Sequence, residues 1–292
     1  MFDKFLAYLT FEKRYSPHTI EAYSNDLQQF ATFLETENES DLLTVNHSTV
    51  RSWIVELIDK GKTNKSVNRK LASLRTYYKW LRKEGKLDHS PMAKIQGPKN
   101  EKRLPVFARE NDLKEEKLAF IFDNDFEGTR DRLMFELFYQ TGIRLSELIG
   151  LKETDFSNGQ IKVLGKRNKE RIIPISTDLE KLIYSYIQLK NSVIAKSNYL
   201  FVLSNGNKLY PTVVYRKINH YLGLATNLDK KSPHVLRHTF ATHMLNRGSG
   251  LETLKDLLGH ANLSATQVYT HNSFAQLTSI YSQAHPRGGH NK

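Results

Sequence analysis

His234, Arg237, His260 and Tyr269 all fall within residues 232–271, and their types and order suit one kind of chemistry. A tyrosine hydroxyl can attack a phosphodiester and become covalently joined to it. A free phenol has a pKa of about 10, so near neutrality it needs a proton acceptor or a strong positive field. Charge growing on the phosphate oxygens must be met by preorganised cations. Arginine serves best, because its fork matches two oxygens and it stays protonated. A second arginine stands upstream in Thr141-Gly142-Ile143-Arg144-Leu145-Ser146-Glu147-Leu148, with Glu147 placed to hold the Arg144 guanidinium in one rotamer. Between the two arginines, the stretch from Gln160 to Pro174, QIKVLGKRNKERIIP, reads as two β-strands around a polar turn. Lys166, at that turn, can swing in to protonate a leaving oxygen.

The elements around these residues follow from periodicity and caps. Ser232-Pro233 reads as a helix start with a serine cap, which puts His234 and Arg237 three apart on one face. Gly142 breaks an apolar helix just before Arg144. Leu254, Leu257 and Leu258 mark an amphipathic helix that Gly259 ends, so His260 leaves a helix end directly. Asn262-Leu263-Ser264 suggests a cap for a further short helix before Tyr269. Helices are also expected over 115–122, 129–140, 179–190 and 212–222, with a turn at Asn158-Gly159.

The N-terminal part reads as helices throughout. Ser16-Pro17 starts one, with Ile20, Tyr23, Leu27, Phe30 and Leu34 as its buried face. Residues 48–58 form a second, with Ser48 as cap. Ser66 is expected to cap a third, whose stripe is Val67, Leu71, Leu74, Tyr78 and Leu81. The rest of that helix is basic, with Arg69, Lys70, Arg75, Lys79, Arg82 and Lys83, and no acidic residue lies from Ser66 to Lys83. Solvated surface helices usually mix both signs, so this one is read as a DNA contact through Arg69, Lys70, Arg75, Lys79 and Arg82. Residues 96–105 are rich in charge, proline and glycine and poor in apolar groups, which marks a linker. The expected architecture is mainly α: a helical DNA-binding domain over 1–95, the linker, and a catalytic domain over 106–292 with one small antiparallel β-sheet.

Composition agrees with a polyanionic partner. The 292 residues carry 43 Lys+Arg against 31 Asp+Glu, a net charge of +12. The absence of cysteine excludes disulfides and thiolate metal sites and suits a reducing cytoplasm. The N-terminus lacks a signal-peptide core, and no apolar run is long enough to span a membrane.

The ordered motifs TGIRLSEL, LGK before a hairpin, HVLRH, LLGH and VYTH resemble those of the tyrosine recombinase (phage integrase) family. The likeness extends over nearly the whole chain and is closest to the Xer-type chromosome-dimer-resolution recombinases, the XerC branch more than the XerD branch. Ala265 is one departure, where Xer relatives often carry threonine. The resemblance implies that Arg144 and Arg237 clamp the phosphate, Lys166 is the general acid for the 5′-hydroxyl, and His234 assists proton transfer. It implies that His260 bonds a phosphate oxygen, Tyr269 forms a 3′-phosphotyrosyl link, and Glu147 supports Arg144. It further implies a C-shaped clamp around double-stranded DNA, a Holliday junction intermediate, and a homo- or hetero-tetramer with a second Xer-type recombinase. A DNA translocase can act as activator, no metal or other cofactor is needed, and the target is a dif-like site. The tail over 274–292 would dock into a neighbouring protomer, so its deletion is expected to spare DNA binding and impair strand exchange.

Other readings carry less. His234 and His238 have zinc-like i, i+4 spacing but lack further ligands, and His238 and His243 are read as structural. A mobile-element integrase or a type IB topoisomerase would share the chemistry. A DNA-binding protein with a dead recombinase fold would have no need of the tyrosine.

Overall fold

The computed structural model describes residues 1–101, 106–165, 169–194, 197–259 and 271–288, the side chains of 271–276 excepted. Lys166, His260 and Tyr269, and the cap expected at 262–264, lie outside the described residues. The chain divides into two compact units, Met1–Arg103 and Leu104–Lys292.

The first unit holds α1 (Asp3–Ala7), α2 (Pro17–Phe33), α3 (Glu39–Leu43), α4 (His47–Asp59) and α5 (Asn64–Lys83). Its core joins Leu27 and Phe30 of α2 to Trp53 of α4 and to Val67, Leu71, Leu74, Tyr78 and Leu81 of α5, the expected stripe. Ser16 caps α2 by accepting from the Thr19 amide. The other two caps differ from expectation. Asn46, not Ser48, caps α4, because its carboxamide oxygen reaches the amides of both Ser48 and Thr49, at 2.9 and 3.0 Å. Thr63, not Ser66, caps α5 and accepts from the Ser66 amide.

The basic face of α5 is also smaller than its sequence suggests. Asp26 of α2 is fully buried and takes both guanidinium ends of Arg69, the Lys70 ammonium at 2.9 Å and the Ser73 hydroxyl at 2.7 Å. Lys70, which also donates to Gln29 at 2.6 Å, is therefore a core residue rather than a DNA contact. A lysine leaves water only when a counter-ion goes with it, and α2 supplies that counter-ion. Arg75, Lys79 and Arg82 remain exposed, and their i, i+4, i+7 spacing puts them on one face. The expected linker starts later than residue 96. Asn68 and Asn64 of α5 donate to the carbonyls of Pro98 and Lys99 at 2.7 and 2.9 Å, which fastens that stretch to the first unit.

The second unit is built on α7 (Phe126–Thr141), which follows the short α6 (Glu115–Leu118) and is buried on nearly every side. The helix expected over 115–122 stops at Leu118. The chain turns there and brings Phe122 against Tyr221, with ring centroids 4.4 Å apart. After α7 come α8 (Leu145–Gly150), then β1 (Phe156–Ser157), β2 (Gln160–Leu164) and β3 (Glu170–Pro174) in an antiparallel sheet of order β1-β2-β3. Asn158 and Gly159 both have positive φ, 50° and 70°, and make the tight turn between β1 and β2. In β2 and β3 the pairs Ile161–Ile173 and Val163–Arg171 face inward.

The remaining elements are α9 (Thr177–Val193), α10 (Pro211–Ala225), α11 (Pro233–Asn246), α12 (Leu251–Leu258) and α13 (His271–Ala284). α9 and α11 pack on α7, α12 packs on α11 and β3, and α13 packs on α11. Pro233 starts α11 as expected, whereas the Ser232 side chain makes no cap bond.

The tail is part of this unit's own core. Leu277, Tyr281, Ala284 and His285 are buried. His285 stacks on Tyr281 at 5.2 Å and donates to the Tyr139 carbonyl at 3.3 Å. Burial depresses the His285 pKa to about 3, so the ring is neutral. Arg287 pairs with Glu136 and donates to the Leu113 carbonyl at 2.7 Å. Deleting 274–292 would therefore also strip these buried groups from the unit's core and is expected to lower its stability.

Candidate active site

Gly142 ends α7 in the left-handed region, at φ 60°. A side chain there would collide with Phe240 at 2.6 Å and with Leu258 at 2.8 Å, so α11 and α12 both close against this turn. Two residues later Arg144 opens α8. Its amide donates to Glu147 Oε2 at 2.7 Å and its Nη1 to Glu147 Oε1 at 2.8 Å. Glu147 thus fixes both the helix start and the guanidinium.

The same carboxylate takes Arg171 of β3 in a two-pronged pair, Nη1 to Oε1 at 2.9 Å and Nη2 to Oε2 at 2.8 Å. Glu147 is buried, which by itself raises its pKa. The hydrogen bonds and charge of Arg171, with those of Arg144, outweigh that and hold it at about 2. The stabilisation from this pairing is complete above the ordinary carboxylate pKa of 4.5 and is lost as the pH falls towards 2.

Arg237, on α11, donates to the Gly142 carbonyl and, through Nη2, to the Leu258 carbonyl at 2.8 Å. It is buried, and that burial, with the charges of Arg144 and Arg171, lowers its pKa to about 10. Among the described residues the cluster holds three arginines and one carboxylate, Glu147.

A common pattern joins the three arginines. The last carbonyls of a helix have no partner within it and carry the negative end of its dipole. At the end of α12 the Leu257 carbonyl accepts from Arg171 Nε at 2.8 Å, that of Leu258 from Arg237, and that of Gly259 from Arg144 Nη2 at 2.9 Å. Arginines from three distant stretches converge on three successive carbonyls, directly before His260. Gly259, at φ 63°, makes the turn that exposes them.

The structure therefore brings together Arg144, Glu147 and Arg237, as the motifs suggest. His234 is exposed on α11, one turn before Arg237. His243 is structural, as expected: it is buried, at 3.2 Å from the Tyr139 hydroxyl and 3.0 Å from the Ala108 carbonyl. Arg171 went unassigned in the sequence, although its place in register with Ile173 on an inward strand face is a legible signal.

Among the described residues, no group of three or more His, Cys, Asp or Glu side chains is arranged to hold a metal. No described helix is long and apolar enough to cross a membrane.

The sequence pattern of the phage integrase family matches residues 111–276, and that of the phage integrase N-terminal SAM-like domain matches residues 2–85. The chain belongs to the phage integrase family, the tyrosine recombinases.

Curated relatives extend over the full length of this recombinase. Tyrosine recombinase XerC of Anoxybacillus flavithermus is 39% identical over 291 residues, covering 97% of this chain and 96% of the relative. That of Staphylococcus carnosus is 38% identical over 292 residues, covering 98% and 97%. The fold is that of XerH bound to its palindromic difH substrate in a post-cleavage complex. There the TM-score is 0.71 at 22% identity, over 90% of this chain and 79% of that one. A lambda integrase tetramer on a Holliday junction matches with TM-score 0.67 at 18% identity, over 91% and 79%. The chain is accordingly an enzyme of DNA strand exchange, mainly α with a small antiparallel sheet.

Proposed function

We propose that this recombinase resolves chromosome dimers at a dif-like site in the cytoplasm, through a 3′-phosphotyrosyl intermediate and a Holliday junction. The observation that carries the reading is the arginine cluster on the end of α12, because among the described residues it gathers three guanidinium groups beside one carboxylate, Glu147. A scissile phosphate is the anion this cluster is proposed to bind. Arg144 and Arg237 take its oxygens, Tyr269 attacks the phosphorus, and Lys166 protonates the departing 5′-hydroxyl. His234 assists proton transfer and His260 bonds a non-bridging oxygen. Because one phosphodiester is exchanged for a phosphotyrosyl ester and then for a new phosphodiester, the chemistry consumes neither ATP nor a metal.

In the first unit Arg75, Lys79 and Arg82 are exposed cations on one face of α5 and meet the DNA backbone. Support for the site and the assembly comes from the full-length XerC relatives, from XerH on difH, and from the lambda integrase tetramer on a junction. The working unit is a tetramer of this chain, or of this chain with a second Xer-type recombinase, and a DNA translocase can activate it.

The test is strand exchange between two labelled duplexes carrying a dif-like site, with the partner recombinase added in a parallel arm. Junctions and recombinant products are expected. Relaxation of a supercoiled plasmid without either product would identify a topoisomerase-like enzyme instead.

A further inference from the structure

We infer that Arg171 is a positioning residue for strand cleavage, acting through Glu147 and the end of α12 without touching DNA. The inference rests on the proposed roles of Arg144 and Lys166.

An arginine at an inward strand position is unusual, because burying a charge is costly unless it is fully paired. Arg171 is 5% exposed, and its Nε, Nη1 and Nη2 all have acceptors: the Leu257 carbonyl and both oxygens of Glu147. Two consequences follow. First, Glu147 orients Arg144, but a carboxylate paired with one arginine alone would cancel the charge it orients. Shared between Arg144 and Arg171, it leaves a net positive charge for the phosphate. Second, Arg171 joins three parts of the site. It lies in β3, directly after the turn that carries Lys166, and it holds the α12 carbonyl two residues before Gly259.

The backbone closes on this guanidinium at two glycines. A methyl group added at Gly165, the residue before Lys166, would lie 3.5 Å from Arg171 Nη1 and 3.6 Å from Glu147 Oε1. One added at Gly259, the residue before His260, would lie 3.1 Å from Nη1. Gly165 and Gly259, which precede Lys166 and His260 in the sequence, thus both lie against one buried side chain.

The test compares Arg171→Met, Arg171→Lys and wild type on a nicked dif-like duplex under single-turnover conditions, with thermal unfolding of each protein alongside. Each protein is assayed on a normal scissile phosphate and on an uncharged methylphosphonate in its place. Arg171→Met is expected to bind DNA within about threefold of wild type and to cleave about 100-fold more slowly, as for other residues that orient a catalytic group. On the methylphosphonate, where there is less phosphate charge to neutralise, its deficit relative to wild type should shrink to about tenfold or less. Arg171→Lys keeps the charge but not the fork, and should show a smaller deficit that shrinks in the same way. Should Arg171→Met fail to fold, the lysine variant alone decides.

A deficit of the same size on both substrates, or one that tracks only the loss of thermal stability, would overturn the inference and leave Arg171 a structural residue. Arg237→Ala is the control for the underlying reading. If it cleaves like wild type, the proposed site itself is wrong. If it is inactive while both Arg171 variants cleave normally, only the inference about Arg171 fails.

Discussion

Arg237→Ala should cleave a nicked dif-like duplex about 1,000-fold more slowly than wild type while binding it within about tenfold. One preorganised cation aimed at transition-state charge is worth two to five powers of ten in rate. Arg237 is well prepared for that task. Its guanidinium donates to the Gly142 and Leu258 carbonyls, which fix its orientation. Burial and the charges of the neighbouring Arg144 and Arg171 lower its pKa to about 10, and a phosphate bound beside it would favour its charged form. Affinity for the whole duplex is spread over many backbone contacts, among them those proposed for α5, and so depends little on one arginine. Gel shift and single-turnover cleavage separate the two effects. Equal losses in both would make Arg237 a simple phosphate anchor.

Lys166→Ala is expected to slow cleavage by about 100- to 10,000-fold, the range of a lost general acid. The defect should be confined to substrates whose leaving group needs a proton. Replacing the bridging 5′-oxygen by sulfur makes the leaving group a thiolate, whose conjugate acid has a pKa of about 8.5 by analogy with cysteine, and which departs unaided. With that substrate the variant should come within about tenfold of wild type. Persistence of the full defect would show that Lys166 serves the phosphate or the fold instead of the leaving group. β2 and β3 pair in register up to Leu164 and Glu170, between which Lys166 falls in the sequence.

Much of the site was legible because its parts are local. Gly142, Arg144 and Glu147 lie on one turn, and a glycine break followed by Arg-x-x-Glu states its own geometry. The α12 helix and its glycine end could be read in the same way. What stayed hidden were partnerships between distant stretches. α5 reads as uniformly basic, yet Asp26, far away in sequence, pairs with both Arg69 and Lys70. Arg171 reads as another charge near a polar turn until the sheet register turns it inward. The tail reads as an amphipathic end, and only the packing of Tyr281 and His285 against Tyr139 and Gln140 makes it core. Caps slipped by two or three residues because Asn46 and Thr63 compete with serines nearby, and propensity alone does not rank them.

The central claim is that this chain forms a covalent bond to DNA through Tyr269. Wild type and Tyr269→Phe should each be incubated, with EDTA present, with a nicked duplex bearing a dif-like site, in the presence and absence of a partner recombinase, and run on a denaturing gel. An SDS-resistant protein–DNA band from wild type, absent from Tyr269→Phe although that variant still shifts the duplex under native conditions, is the expected result. An equally strong band from Tyr269→Phe, or no band from wild type that binds the site tightly with its partner present, would contradict it.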